Sequence, residues 1–230
     1  YRRRYFWIRK LKKITKMWEE YGGKMEKEKW LEVAKKLQSI AQAGLEYSKD
    51  KYDIERFQEI REISIDILEN HTDMERERIK DLFACETGYQ TPKIDIRAAI
   101  FREDEILLVK EKLDGKWSLP GGWADIDLSI RENLIKEAME EAGAKIIPLR
   151  ILAIYDRNRN VNIPFPHSVY KIFVQCEYIE SHFVENTETE EMGFFKVDFL
   201  PELSKTRNTE NQIKMCFKYR DNESHEADFD

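Results

Sequence analysis

Apolar residues recur at helical spacing early in the chain. Trp30, Leu31, Val33, Ala34, Leu37, Ile40 and Ala41 form one broad stripe. Gly44 is expected to end that helix. A second helix starts near Asp53 and places Phe57, Ile60, Ile63 and Ile67 on one face; a third, shorter one covers roughly 73–85. The polar stretch ETGYQTPK, residues 86–93, reads as a linker. From Lys93 the texture changes. IDIRAAIF and EILLVKE alternate or run apolar over strand lengths, with a turn at Asp104 between them. Further strands are expected at 145–156, 168–178 and 193–197, and helices at 129–142 and about 208–219. The last residues, DNESHEADFD, are acidic and expected to fray. The pattern predicts an α+β protein: a small all-α domain over 25–88, a mixed domain over 93–220 and an acidic tail over 221–230.

Charge sharpens this division. The net charge of −6 hides a basic start, since residues 1–24 carry +7 and the remainder −13. In that start, YRRRYFWIRKLKKITKMW, the apolar positions 7, 8, 11, 14 and 18 would make one sticky helical face with basic flanks. The chain starts with Tyr1, and the body of the protein reads as beginning at about Met25, preceded by Gly22-Gly23-Lys24, so residues 1–24 are expected to lie outside the native product. The acidic body is a poor general surface for nucleic acid, which is held by Lys and Arg. No apolar run approaches the ~18 residues of a membrane span, and no secretory signal is visible. Cys85, Cys176 and Cys216 are odd in number and far apart, which fits unpaired thiols in a reducing cytoplasm.

The segment GGWADIDLSIRENLIKEAMEEAGA, residues 121–144, carries the chemistry. Six carboxylates fall between Asp125 and Glu141. Ser129 followed by Glu132 is a capping-box signature that starts a helix, and Gly143 ends it. Glu137, Glu140 and Glu141 stand at i, i+3 and i+4, hence on one face, where like charges repel. A solvated acidic face is the plain reading of such a run. A hard divalent cation is the functional one, because Mg²⁺ takes carboxylate oxygens, keeps water and is completed by substrate phosphates. Gly121-Gly122 just before the helix would let backbone come close to a ligand.

Taken together, these residues resemble the Nudix box of Nudix hydrolases. Gly122 opens the pattern, Lys136-Glu137-Ala138 stands at its arginine-glutamate-aliphatic step, and Glu140-Glu141-Ala142-Gly143-Ala144 closes it. Leu128 replaces the box's first glutamate and Lys136 its arginine, two departures that read as one swapped interaction. The stretch LQSIAQAGLEYSKDKYDIERFQEIREI is similar to the N-terminal helical domain of one Nudix branch. That branch hydrolyses nucleoside diphosphates linked to another group, and includes CDP-choline and ADP-ribose pyrophosphatases. Residues Tyr155-Asp156-Arg157, Ser168–Phe173, Gly193-Phe194-Phe195 and Leu200–Ser204 also look like it, so the likeness covers roughly 28–220.

The resemblance implies a Nudix α/β/α sandwich with a mixed sheet. It implies a Mg²⁺-dependent pyrophosphohydrolase, with Mn²⁺ as a second candidate. Metal would be held by Glu137, Glu140 and Glu141 and by the Gly122 carbonyl, with Glu140 and Glu141 serving catalysis. A general base would come from the loop NTETEEMGFF, where Glu188, Glu190 and Glu191 are available and Glu191 is the first choice. Asp156, Arg157, His167 and Asp125 are candidate substrate-binding residues. Each has a plainer reading: Arg157 as an ion pair with Asp156, His167 as an idle loop histidine, Asp125 and Asp127 as shapers of the turn. Tyr155, Phe165 and Phe173 either stack on a base or fill the core. The expected partner is a nucleoside diphosphate derivative, and the helical domain is expected to make a homodimer. The competing reading is a catalytically weak Nudix domain that senses a nucleotide.

Overall fold

The computed structural model describes residues 29–230 except 162, 164, 166, 223 and 225. The basic segment 1–24, and the expected start near Met25, lie outside the described residues. The chain divides into two compact units that meet between Gln90 and Thr91.

The first unit is helical. Helix α1 (Lys29–Tyr47) packs along α2 (Lys51–His71). Asp50 caps α2, its Oδ1 accepting from the Tyr52 N–H at 2.9 Å. A short α3 (Arg76–Ile79) runs into one wide turn, Lys80–Ala84, that sends Phe83 and Ala84 into the core. The Arg76 guanidinium gathers three α2 carboxylates: Glu62 and Asp66 at 2.5 Å and Glu69 at 2.7 Å. Two expectations change. The buried face of α2 carries Ile65 and Leu68, while Ile63 stays exposed. Gly44 does not end α1, which continues three residues further. It is a contact residue instead, because a Cβ there would lie 2.2 Å from the Phe57 ring. Gly44→Ala is therefore expected to destabilise this unit by about 1–2 kcal/mol, since overpacking outweighs the better helix propensity of alanine. Phe57→Leu in the same chain should recover part of the loss. Hydrogen exchange of α1 and α2 amides reads this, and unchanged protection would count against the close packing.

The second unit is built on β1 (Lys93–Arg102), β2 (Glu105–Glu111), β3 (Trp117–Ser118), β4 (Ala144–Asp156), β5 (Val169–Ser181), β6 (Thr189–Phe195) and β7 (Asp228–Phe229). The sheet order is β3-β2-β1-β5-β4-β7, with β6 also paired to β2. It is mixed: β1 runs parallel to β5, and β4 antiparallel to β5. Helix α4 (Ile130–Ala142) covers one face, burying Leu134, Ala138 and Ala142 against Ile96, Ala98, Val109 and Val174. Alternate residues of the same strands meet α6 (Glu210–Arg220), where Ile213 and Cys216 pack on Ala99, Leu108 and Phe173. A single-turn α5 (Arg157–Asn160) follows β4. The α/β/α sandwich and mixed sheet are as the resemblance implied. The tail departs from expectation. Asp228 and Phe229 pair with Ala153 and Ile154 of β4. Asp228 accepts from the Tyr155 hydroxyl at 2.6 Å and the Tyr219 hydroxyl at 3.2 Å. Its carboxylates thus close the sheet edge. Cys176 and Cys216 are buried and Cys85 is exposed, all three as free thiols.

Beneath this sheet face lies a charged layer that hydropathy does not reveal. Asp95 of β1 and Lys171 of β5 are cross-strand partners, with Arg97 two residues along. Arg97 is fully buried, and its Nε donates to Asp95 at 2.7 Å. The Lys171 ammonium is also fully buried, 3.7 Å from Asp95, and has no hydrogen-bond acceptor among the described residues. Burial, reinforced by the charges of Arg97, Arg157 and Arg207, pushes its pKa down to about 7 against the weaker pull of Asp95. Between pH 7 and 10.5 the unfolded chain then holds the extra proton. Stability should rise with pH across that window, by at most ~1.4 kcal/mol per unit. Lys171→Met should remove that slope; denaturant unfolding of both proteins from pH 7 to 10 checks it, and parallel profiles would refute it.

Candidate active site

The loop leading into α4 is held as an extra strand on the edge of β1. Ala98 donates to the Pro120 carbonyl (2.9 Å), Ile96 to that of Gly122 (2.8 Å), and Ala124 donates back to Ile94 (2.9 Å). Gly121 is essential to this approach: its φ is +132°, and a Cβ would lie 2.1 Å from the Ile96 carbonyl oxygen. Helix α4 then starts at a full capping box, with Ser129 and Glu132 bonded reciprocally. Asn133, fully buried, ties loop to helix. Its Oδ1 accepts from the Asp125 N–H at 2.9 Å, and its amide donates to the Leu128 and Ser129 carbonyls at 3.2 Å.

The carboxylate face of α4 opens on a cleft of about 860 Å³. Glu141 is only 5% exposed and accepts from the Gly121 N–H at 2.8 Å. Burial pushes its pKa up to about 8, opposed by the charge of Arg97 beneath the loop. Glu137 lies against Gly122 and is also raised by burial. Glu140 is exposed and pairs with Lys136 at 3.1 Å. The same Lys136 ammonium holds Asp125 at 3.0 Å. Lys136, the lysine at the box's arginine position, thus bridges the loop and the helix. Across the cleft, the last residue of β2, Glu111, is buried and receives the Ser118 hydroxyl (2.6 Å) and Arg207 (3.2 Å). The Asn186 side chain donates to the Glu140 carbonyl at 2.9 Å and the Thr189 hydroxyl to that of Glu141 at 2.7 Å, which carries Glu188 to the cleft wall.

The structure thus brings Gly122, Glu137, Glu140 and Glu141 together. Glu191 it places elsewhere. Opposite Lys110 in the β2–β6 ladder, Glu191 and its neighbour Glu190 pair with that lysine at 3.1 and 2.7 Å. The ladder breaks register between Lys110 and Glu111, and Glu188, beyond that break, is the loop carboxylate lining the cleft. The Gly122 carbonyl already accepts from Ile96, so one lone pair remains for any ligand. Arg157 is buried. Its guanidinium donates to the Ile163 carbonyl at 3.1 Å and sits 4.4 Å from the Phe165 ring, so it neither lines the cleft nor pairs with Asp156. Asp156 caps α5 through the Asn158 N–H. Asp125 and His167 line a separate hollow. Phe173 is core, Tyr155 reaches the tail, and Phe165 alone of the three aromatics faces open space beside that hollow. Sequence reasoning did not single out Glu111, Arg207, Asn186 or Arg97. Only the charge at the end of an otherwise apolar strand, Glu111, offered a signal.

Among the described residues, no three acidic, histidine or cysteine side chains stand close enough to form a ready cage for a metal. The donor set nevertheless fits a hard divalent cation. Glu141 and Glu111 are carboxylates removed from water, and Glu141 has one backbone donor to offset that cost. An oxygen-seeking cation that keeps its waters and shares phosphate oxygens needs only one or two such groups.

Comparison with known proteins agrees with this geometry. Residues 91–216 match the profile of the NUDIX domain, and residues 28–83 match that of the UDP-X-like, N-terminal oligomerisation domain. YjhB of Bacillus subtilis (strain 168), itself assigned only provisionally as an ADP-ribose pyrophosphatase, is 45% identical over 191 residues, 83% of this chain and 92% of that one. A solved ADP-ribose pyrophosphatase from Streptococcus suis 89-1591 is 45% identical, with a TM-score of 0.57, over 61% of this chain and all of its own. A solved UDP-X diphosphatase is 30% identical, with a TM-score of 0.58, over 90% of this chain and all of its own.

Proposed function

The chain belongs to the Nudix family, and we propose that it hydrolyses the diphosphate bridge of nucleoside diphosphates linked to a second group, with ADP-ribose the leading substrate and Mg²⁺ the leading metal. The observation that carries this reading is the convergence of Glu111, Glu137, Glu140, Glu141 and Glu188 on one cleft. It includes a buried Glu141 short of positive charge. Relatives named for ADP-ribose at 45% identity favour that substrate.

Glu137, Glu140 and Glu141 would hold the cation, with Glu111 behind them. When bound, it would neutralise phosphate oxygens and lower the pKa of the attacking water. Arg207, tethered to Glu111, would bind the diphosphate from the far wall. Glu188, on the loop lip, would take the proton from that water. Phosphoryl transfer asks for little beyond such positioning and charge. Lys136 would release Glu140 as the cation arrives while staying anchored on Asp125. That anchoring supports an active enzyme over a sensor. The helical unit would join two copies; its family profile and the exposed Ile40 and Ile63 support this.

The test is incubation of the full chain and Mg²⁺ with ADP-ribose, nucleotide sugars, CDP-choline and nucleoside triphosphates, followed by chromatography. AMP and ribose 5-phosphate from ADP-ribose are expected. Binding without any product would establish the sensor instead.

A further inference from the structure

Trp123 follows Gly122 directly, and the Asp95–Trp123 bridge to β1 fixes its backbone, with Gly122 and Ala124 bonded to β1 on either side. Its indole is nevertheless 46% exposed. It lines the carboxylate cleft on one side and, on the other, a second hollow of about 630 Å³ that contains Phe165, His167, Asp125 and Lys93. The Phe165 ring stands 6.3 Å from the indole, inclined by only 25°, and His167 meets the edge of Phe165 at 5.7 Å. A large aromatic surface on a rigid backbone, left open to water beside a charged cleft, is a stacking platform for a flat ligand.

We propose that this hollow seats the nucleobase, stacked on Trp123 and walled by Phe165, while the diphosphate lies in the adjoining cleft; the assignment rests on the reading of that cleft as a diphosphate site. The other aromatic-seeking group, a quaternary ammonium of the linked moiety, is disfavoured by charge. The Arg157 guanidinium already sits 4.4 Å from the Phe165 ring, and Lys136 partly neutralises the Asp125 carboxylate that lines the hollow. A neutral, π-faced base meets no such repulsion. Asp125 and His167 then stand where base edges would be read, which gives both sequence candidates a place at the base and not at the phosphates.

Equilibrium binding of AMP, CMP, ribose 5-phosphate and phosphocholine to the full chain tests this without turnover. Wild type, Trp123→Leu and Trp123→Phe are compared by calorimetry, with circular dichroism to verify folding. Nucleoside monophosphate affinity should fall ~10-fold or more in Trp123→Leu and largely return in Trp123→Phe. Ribose 5-phosphate should bind all three alike. Equal nucleotide affinity in the three proteins overturns the proposal. A loss confined to phosphocholine also overturns it, by assigning the hollow to the linked group. Trp123-dependent nucleotide binding in a protein that cleaves no diphosphate would uphold the base site while removing the proposed activity.

Discussion

Replacing Glu141 with glutamine should lower kcat/KM by about 100- to 1,000-fold, the usual worth of a group that organises charge in a transition state, yet leave the protein at least as resistant to heat. The two halves of that result share one cause. Glu141 is almost fully buried, with one backbone donor from Gly121 and the Arg97 charge beneath it. In the metal-free protein its negative charge is a burden, because desolvation exceeds what those partners return. Glutamine keeps the shape and an oxygen to accept from Gly121 but removes the charge. A cation would lose an anionic ligand, while the fold loses a liability. Thermal unfolding in EDTA, beside turnover of ADP-ribose in Mg²⁺, reads both quantities. A fall in melting temperature with activity largely kept would show that Glu141 serves the fold and not the reaction.

The same contrast between local pattern and tertiary placement explains what the sequence made legible. Helix α4 could be read to the residue because its signals are local: Ser129 and Glu132 bond within one turn, and Gly143 takes φ +58° at the helix end. The three glutamates share a face by helical geometry alone. Adjacency to the Met-Gly-Phe-Phe strand favours Glu191 over Glu188, three residues before it, yet adjacency does not say which carboxylate reaches the cleft. A register break between Lys110 and Glu111 decides which reaches the cleft, and no composition encodes that break. Gly44 carried the mark of a helix end but answers to Phe57 thirteen residues on, a contact between helices. The tail was read as frayed from its acidity, whereas the hydroxyls of Tyr155 and Tyr219 give Asp228 a place on the sheet. Glu111 and Arg97 escaped notice for a related reason. Charges within apolar strands make sense only once partners from other elements are beside them, Ser118 and Arg207 for Glu111 and the Leu119 carbonyl for Arg97.

The two glycines that open the site should respond differently to one added methyl group. In Gly121→Ala the new Cβ would meet the Ile96 carbonyl oxygen at 2.1 Å, and φ at +132° is strained for any side chain. Backbone cannot yield as a side chain does, so the 119–124 segment must leave the β1 edge. Strain and overlap together cost about 3 kcal/mol or more, a large share of a domain's stability. The Gly121 N–H would move with it, depriving Glu141 of its one backbone donor, so activity should vanish together with cooperative unfolding of the catalytic unit. In Gly122→Ala the Cβ meets only the Glu137 carboxylate, at 3.6 Å, an ordinary contact. The fold should survive within about 1 kcal/mol, and the damage should fall on turnover, on the order of 10-fold, as a displaced carboxylate predicts. Urea unfolding and ADP-ribose kinetics on the pair separate the two glycines. Equal stability of the two variants would mean that the loop does not lie against β1 as described. Unimpaired turnover in Gly122→Ala would mean that Glu137 can shift freely, and its part in holding the cation would then pass to Glu140 and Glu141.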